Sequence, residues 1–304
     1  MVSARRMSKM AVYNTNWFEV MQKKVQRKKR IKKYSMVTAR QVVSVLMVLI
    51  VMIPICAILI ASFKSHDAFQ STGSFQLSGK FTLDNYKEAL VDGNLIRAFV
   101  NTLIISGISI LATIFMGSMT AYVLSRFKFI GSRLISGMFL IASFMPSITM
   151  QISIFHIIKN MNIYNTFLAV ILIYAGTDVV SVYIFLQRLK EIPKAVDEAA
   201  LMDGASYFTV YRKIILPLLK PAIVMVVILK GIAFYNDFFT AYLYLPFSNH
   251  AVISTALYRF NSKFGGRWEV LAAGIVITMI PTLIAFILFR KQIYSGIAKQ
   301  GSNK

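Results

Sequence analysis

Apolar residues in this chain do not alternate, and they do not recur as short stripes on otherwise polar helices. They come in long runs. Six runs reach the ~20 residues that a helix needs to cross a bilayer, at roughly 42–61, 98–122, 134–156, 165–187, 218–243 and 268–289. In hydrocarbon the backbone must satisfy its own hydrogen bonds, so runs of this length predict helix. The expected fold is all-α: a polytopic membrane protein of six spans within 42–290, flanked by tails at 1–41 and 291–304. Pro54, Pro146 and Pro281 lie in or near the runs and are expected to kink them.

The segments between runs differ in character. The first, about 62–97, carries the amphipathic stretch FTLDNYKEALVDGNLIRAF. Thr82 is expected to cap a short helix there and Asp92-Gly93 to end it, with Phe81, Leu83, Tyr86 and Leu90 as apolar contacts. The segment 157–164 is short, and 244–267 reads as a polar, glycine-bearing loop. None looks like a separate domain.

Charge orients the chain. Lys and Arg number 34 against 12 Asp and Glu, a formal net charge of +22, in a sequence that is 57% hydrophobic. Nucleic-acid binders are rarely so apolar, and a membrane surface fits both numbers better. With both termini in the cytoplasm, 25 basic residues fall inside and eight outside, and Lys230 falls in a span. The densest run, Lys23 to Lys33, has no interleaved aromatic residue to stack bases and reads as a lipid-facing tail. The first span follows too long a basic lead for a signal peptide and is expected to be an uncleaved anchor. A single cysteine, Cys56, and three scattered histidines offer no disulfide and no metal-ligand spacing.

One cytoplasmic segment, 188–217, has its own architecture. Pro193 opens a short helix, KAVDEAALM, whose acids lie in its first half, where the helix dipole favours them. Asp203-Gly204 stops it, because glycine accepts the left-handed cap. Ser206 can cap the next helix, and Pro217 and Pro221 mark the return to the membrane. The spacing predicts a helical hairpin below the bilayer.

The stretch EAALMDGASYFTVYRKIILP resembles the EAA signature of bacterial ABC importer permeases, with Glu198, Ala199, Ala200, Asp203, Gly204, Ala205, Ile214, Leu216 and Pro217 at the family's spacing. Further segments resemble its carbohydrate branch, the maltose-type second permease subunit: SFKSHDAF, FTLDNYKEAL, NTLIIS, AYVLSRFKFIG, YNDFF and the tail QIYSGIAKQG. The family typically has Trp where this chain has Tyr235, and the basic tail before Arg40 is unmatched.

The resemblance implies a subunit that binds no cofactor. No Walker-type glycine loop is present, so ATP and Mg would belong to a partner. It implies a sister permease forming the other half of a pathway, two ATP-binding cassette subunits and an extracytoplasmic solute-binding protein, in a bacterial cell membrane. The short helix would dock in a cleft of the ATPase, with Ala199 and Ala200 allowing close approach and Glu198 giving a charged contact. The tail, with Gln292 and Gly296, would reach the ATPase interface along an extended or turned path.

Polar residues inside spans are costly and therefore informative. Asp178 and Lys230 lie at similar depth; they either pair or share a wet cavity, or each is satisfied separately. Asn236 and Asp237 stand among Phe234, Tyr235, Phe238, Phe239 and Tyr242, chemistry that suits sugar stacking but also an interfacial aromatic belt. The reading is a permease half for a sugar or oligosaccharide. Its rivals are the same machinery moving a polyol or glycerol phosphate, and a secondary transporter or membrane enzyme, which would leave the hairpin unexplained.

Overall fold

The structure, a computed structural model, describes residues 36–72, 76, 80–144, 147–176, 178–263 and 266–301. The basic run at Lys23 to Lys33 lies outside them. The chain forms two compact units, Met1–Ala57 and Ile58–Lys304. The described part of the first is one continuous apolar helix belonging to α1, Met36–Phe63.

In the second unit the described residues are helical throughout, apart from turns and one isolated antiparallel bridge between Lys64 and Phe81. Two short helices come first, α2 (His66–Thr72) and α3 (Asp84–Val91). The long α4 (Leu95–Arg126) follows, then α5 (Ser132–Phe144), α6 (Ser147–Asn160), α7 (Phe167–Gly176) and α8 (Val179–Glu191). The hairpin is α9 (Ala195–Met202) and α10 (Tyr207–Val210), and a π-helical turn at Tyr211–Ile215 leads into α11 (Leu216–Leu218). The remaining helices are α12 (Lys220–Asn236), α13 (Phe239–Tyr244), α14 (Ile253–Lys263) and α15 (Trp268–Gly301).

The helix α4 is the spine. Its buried positions Leu95, Ala98, Thr102, Ile105, Ser109, Thr113, Gly117 and Ala121 recur every three or four residues, one helical face. Most are small or hydroxylated, which lets neighbouring helices approach closely. All three apolar clusters include α4: one with α8, α9 and α12, one with α6, α7 and α13, and one with α3, α14 and α15.

Among the described residues, three continuous helices are long and apolar enough to cross a membrane: α1, α4 and the Trp268–Gln292 part of α15. Two bent pairs among the described residues pass the same length and composition test when each is taken together: α7 with α8, bent by 44°, and Tyr207–Leu218 with α12, bent by 71°. The expected span 134–156 falls on α5 and α6; residues 145–146 between them, Pro146 included, lie outside the description.

The structure departs from the sequence expectations at five places. The run 165–187 is broken after Gly176 rather than continuous. The run 218–243 is broken at Asp237, whose backbone is extended (φ −72°, ψ 108°) and whose side chain caps the next helix. The expected loop 244–267 contains the helix α14. The tail is not extended, because α15 stays helical through Gln292 and Gly296 to Gly301. In α3, Asn85 and Ala89 are the buried residues, whereas Phe81 and Leu83 face outward. Thr82 accepts a hydrogen bond from the Asp84 amide (3.1 Å), but Leu83 occupies the cap position. A polar side chain that caps a helix from within an apolar run is invisible to hydropathy, which explains the two broken spans.

Candidate functional site

The hairpin is built by local rules. Ile192 leaves α8 in an extended conformation, as the residue before a proline prefers. Asp197 and Glu198 occupy the first turn of α9. At its far end the Gly204 amide donates to the Leu201 carbonyl (3.0 Å) and the Ala205 amide to the Ala200 carbonyl (3.1 Å). This is a Schellman closure, with Gly204 at φ +83° supplying the left-handed residue. The Ser206 hydroxyl then accepts from the Thr209 amide (3.3 Å) and caps α10.

This helix has two faces. Glu198, Ala199 and Met202 are exposed, Met202 at 88%. Asp197 and Ala200 are buried against the chain's own spans. Ala200 therefore faces inward, away from the side that carries Glu198 and Ala199. Beyond the turn, Asp203, Gly204, Tyr207 and Phe208 are exposed and Ala205 is half-buried. Ile214 and Leu216 pack on the core, while Pro217 is exposed. Without an N–H, Pro217 cannot continue the helical ladder, and the π turn and the 71° bend follow in that neighbourhood.

The seat of the hairpin is the end of α4. The Tyr211 and Ser118 hydroxyls are hydrogen-bonded at 2.8 Å in a buried position. The rings of Tyr122 and Tyr211 lie 5.6 Å apart, and Phe127 meets Tyr207 edge-on at 5.0 Å. Arg126 Nη2 stands 3.0 Å from Asp197 Oδ2, and it also donates to the Ile192 carbonyl (3.0 Å). Sequence reasoning missed Ser118, Tyr122, Arg126 and Asp197. Their only signals were a basic residue ending one span and an acid opening the hairpin, which do not name each other.

Within the spans, the structure brings Asp178 and Lys230 together: Lys230 Nζ is 2.5 Å from Asp178 Oδ1. The same carboxylate oxygen accepts from the Ser181 amide (3.3 Å), so Asp178 both caps α8 and neutralises α12. The second break mirrors the first. Asp237 caps α13 through the Thr240 amide (3.1 Å) and accepts from the Tyr174 hydroxyl of α7 (2.9 Å). Tyr174 in turn stacks on Phe234 at 4.1 Å. The two broken spans are thus cross-strapped, each break bonded to the other span. Tyr235 donates instead to the Thr278 carbonyl of α15 (2.8 Å), and Asn236 is exposed and bonds its own helix at Ile232. Beside the second break, exposed Phe238, Tyr242 and Tyr258 form a three-ring corner with centroids 5.2 to 5.6 Å apart. Tyr258 comes from α14, the helix that hydropathy hid.

The end of α4 away from the hairpin carries a charge network. Arg267 reaches Glu88 of α3 (2.6 Å) and Glu269 of α15 (2.8 Å), and His66 of α2 also contacts Glu269 (2.9 Å). Burial by itself would lower the Arg267 pKa, but the hydrogen bond it donates to Glu269 and the charge of Glu88 outweigh it and raise the value.

A set of long apolar helices carrying a short two-helix hairpin is the frame of a multi-pass membrane protein. Residues 109–294 match the family described as binding-protein-dependent transport system inner membrane component, and the chain belongs to that family. It is 33% identical to the trehalose/maltose transport system permease protein MalG of Thermococcus litoralis over 258 residues, 84% of this chain and 92% of that protein. It is 32% identical to the probable starch degradation products transport system permease protein AmyC of Thermoanaerobacterium thermosulfurigenes, covering 71% of this chain and 78% of that one. The fold is shared with a chain of the crystal structure of a bacterial ABC transporter involved in the import of the acidic polysaccharide alginate. There the TM-score is 0.73 at 20% identity, covering 83% of this chain and 94% of that chain. The protein is a multi-pass membrane component and a permease.

Proposed function

We propose that the chain forms one half of the translocation pathway of an ATP-driven importer for a sugar or oligosaccharide. A sister permease supplies the other half, two ATP-binding cassette subunits hydrolyse ATP and hold Mg, and an extracytoplasmic binding protein delivers the solute. The hairpin and both termini face the cytoplasm, in keeping with the distribution of basic residues. The observation that carries this reading is the two-faced α9: one face is buried in the chain's own core, and the other presents Glu198, Ala199 and Met202 to a partner. The exposed tip, with Asp203 and Gly204, belongs to the same docking surface. The helical tail, with Gln292 and Gly296, extends toward the ATPases.

Carbohydrate as the substrate class rests on the named relatives and on the chemistry of the second break. Irregular backbone at membrane depth is tolerated where protein covers it or where it lines water. Here it sits beside exposed Asn236 and the corner of Phe238, Tyr242 and Tyr258, rings for stacking next to an amide for hydroxyls. Asp178, Lys230, Tyr235 and Asp237 hold this stretch of the pathway in shape.

The test is the complex reconstituted in nanodiscs and proteoliposomes, with ATP hydrolysis and uptake of maltose, trehalose and glycerol phosphate followed together. A loaded binding protein accelerates hydrolysis, and Glu198→Lys removes that acceleration while far-ultraviolet circular dichroism stays unchanged. Solute uptake by the purified chain with no ATPase present would overturn the reading, and uptake of glycerol phosphate alone would move it to the non-sugar branch.

A further inference from the structure

We infer that Arg126 and Asp197 form the linkage that carries movement of the hairpin into α4, which makes α4 the driven span and these two the positioning residues of the coupling step. The inference rests on the importer reading above. Four observations support it. Ser118, Tyr122 and Arg126 stand at i, i+4 and i+8, one face of α4, and each meets the hairpin or the π turn behind it. Arg126 joins three elements, because it ends α4, donates to the carbonyls of Leu189 and Ile192 where α8 ends, and faces Asp197 in the first turn of α9. The contact is dry: the Arg126 and Asp197 side chains are 8% and 9% exposed. Finally, Asp197 adjoins Glu198 in the sequence, about 100° round α9, and is buried where Glu198 is exposed, so a push received outside arrives inside within one turn.

The chemistry of the pair argues for a role beyond holding the fold. Desolvating two charges costs more than their attraction returns unless hydrogen bonds satisfy them well. Here the Nη2–Oδ2 approach is close but poorly aligned, Arg126 Nε has no aligned partner, and the Asp197 carboxylate has only Arg126 and the Tyr122 hydroxyl beside it. A purely structural contact at this place would be better served by apolar side chains. A charge contact holds over a range of geometries, because Coulomb attraction falls slowly with distance while a packed apolar contact is lost within an ångström. That property suits a joint that must stay engaged while the hairpin tilts.

The decisive comparison uses the assembled complex and three variants of this chain: Asp197→Asn, the apolar pair Arg126→Met with Asp197→Leu, and the exchanged pair Arg126→Asp with Asp197→Arg. All are measured for basal ATP hydrolysis and for maltose or trehalose taken up per ATP, whichever the wild type transports. The apolar pair is expected to assemble and hydrolyse ATP at the basal rate, yet to lose about ten-fold or more in uptake per ATP, as is Asp197→Asn; the exchanged pair recovers part of the loss. Spin labels at Lys128 and Lys194, with Cys56 replaced, keep one separation with and without ATP in the wild type and separate in Asp197→Asn. An apolar pair that couples as well as the wild type would overturn the inference and leave the importer reading standing. A wild-type complex in which solute and hydrolysis are never linked would overturn both.

Discussion

The two ends of α4 hold their attached short helices in opposite ways. At the hairpin end, one guanidinium faces one carboxylate in a dry interface whose other polar partners are neutral: the Leu189 and Ile192 carbonyls on Arg126 and the Tyr122 hydroxyl beside Asp197. At the other end, Arg267 is shared between Glu88 and Glu269, and Glu269 is shared again with His66, so α2, α3 and α15 are tied by a net with part of its surface in water. Removing one member of a net leaves the others a partner or access to solvent. Removing one member of a buried pair that has only neutral neighbours leaves the other charge without a counter-ion. On the coupling proposed above, redundancy belongs to the end that stays fixed and a single charge pair to the end that moves.

The largest effect that tests this contrast is the matched substitution of the two arginines. Arg126→Met is expected to cost about 3–5 kcal/mol, the penalty for an uncompensated buried charge. Arg267→Met should cost about 1–3 kcal/mol, the scale of lost charged hydrogen bonds. Thermal unfolding of the two purified variants ranks them, and equal losses would erase the distinction between joint and net.

The glycines at the two ends sharpen it further. A Cβ at Gly93 would stand 2.2 Å from the Phe260 ring and 2.4 Å from the Ala89 carbonyl, so Gly93→Ala forces α3 and α14 apart and costs about 1–3 kcal/mol. A Cβ at Gly204 would meet nothing within 4 Å beyond its chain neighbours, and only the left-handed backbone opposes a side chain. There Gly204→Ala costs about 1–2 kcal/mol, with its main effect on the hairpin angle rather than on global unfolding. Hydrogen exchange at α9 and α3 separates the two outcomes.

The smallest effect concerns pH. Arg267 has a raised pKa, so its contribution is fully present below the ordinary arginine value and is lost only as pH climbs past the raised one. The difference in Tm between wild type and Arg267→Met should therefore stay flat from about pH 8 to about pH 10, above the range where histidine titrates. A steady fall across that range would show that a weaker group, not Arg267, closes the net.

Much of the hairpin was legible in the sequence, because capping and glycine stops act within a few residues. Ser206, Gly204 and the acids of α9 each announce their role to the neighbours they bond. The breaks at Asp178 and Asp237 were not legible. Both aspartates sit in runs apolar enough to pass as whole spans, and each cap is a choice between continuing a helix and ending it that the opposing span decides, through Lys230 in one case and Tyr174 in the other. Helix α14 was hidden for a related reason: its polar composition reads as loop until the burial of Ile253, Ala256 and Phe260 against α3, α4 and α15 supplies its apolar face.

The sequence by itself determined the all-helical membrane class, most of the helical segments and the hairpin with its family signature, since hydropathy over ~20 residues and caps over four are local properties of the chain. Tertiary structure alone decided which apolar runs bend, which face of α9 is covered, and that Arg126 answers Asp197. Those outcomes depend on the cost of an unpaired charge or an uncapped helix end in a dry interior, and that cost is set by whichever distant segment packs there.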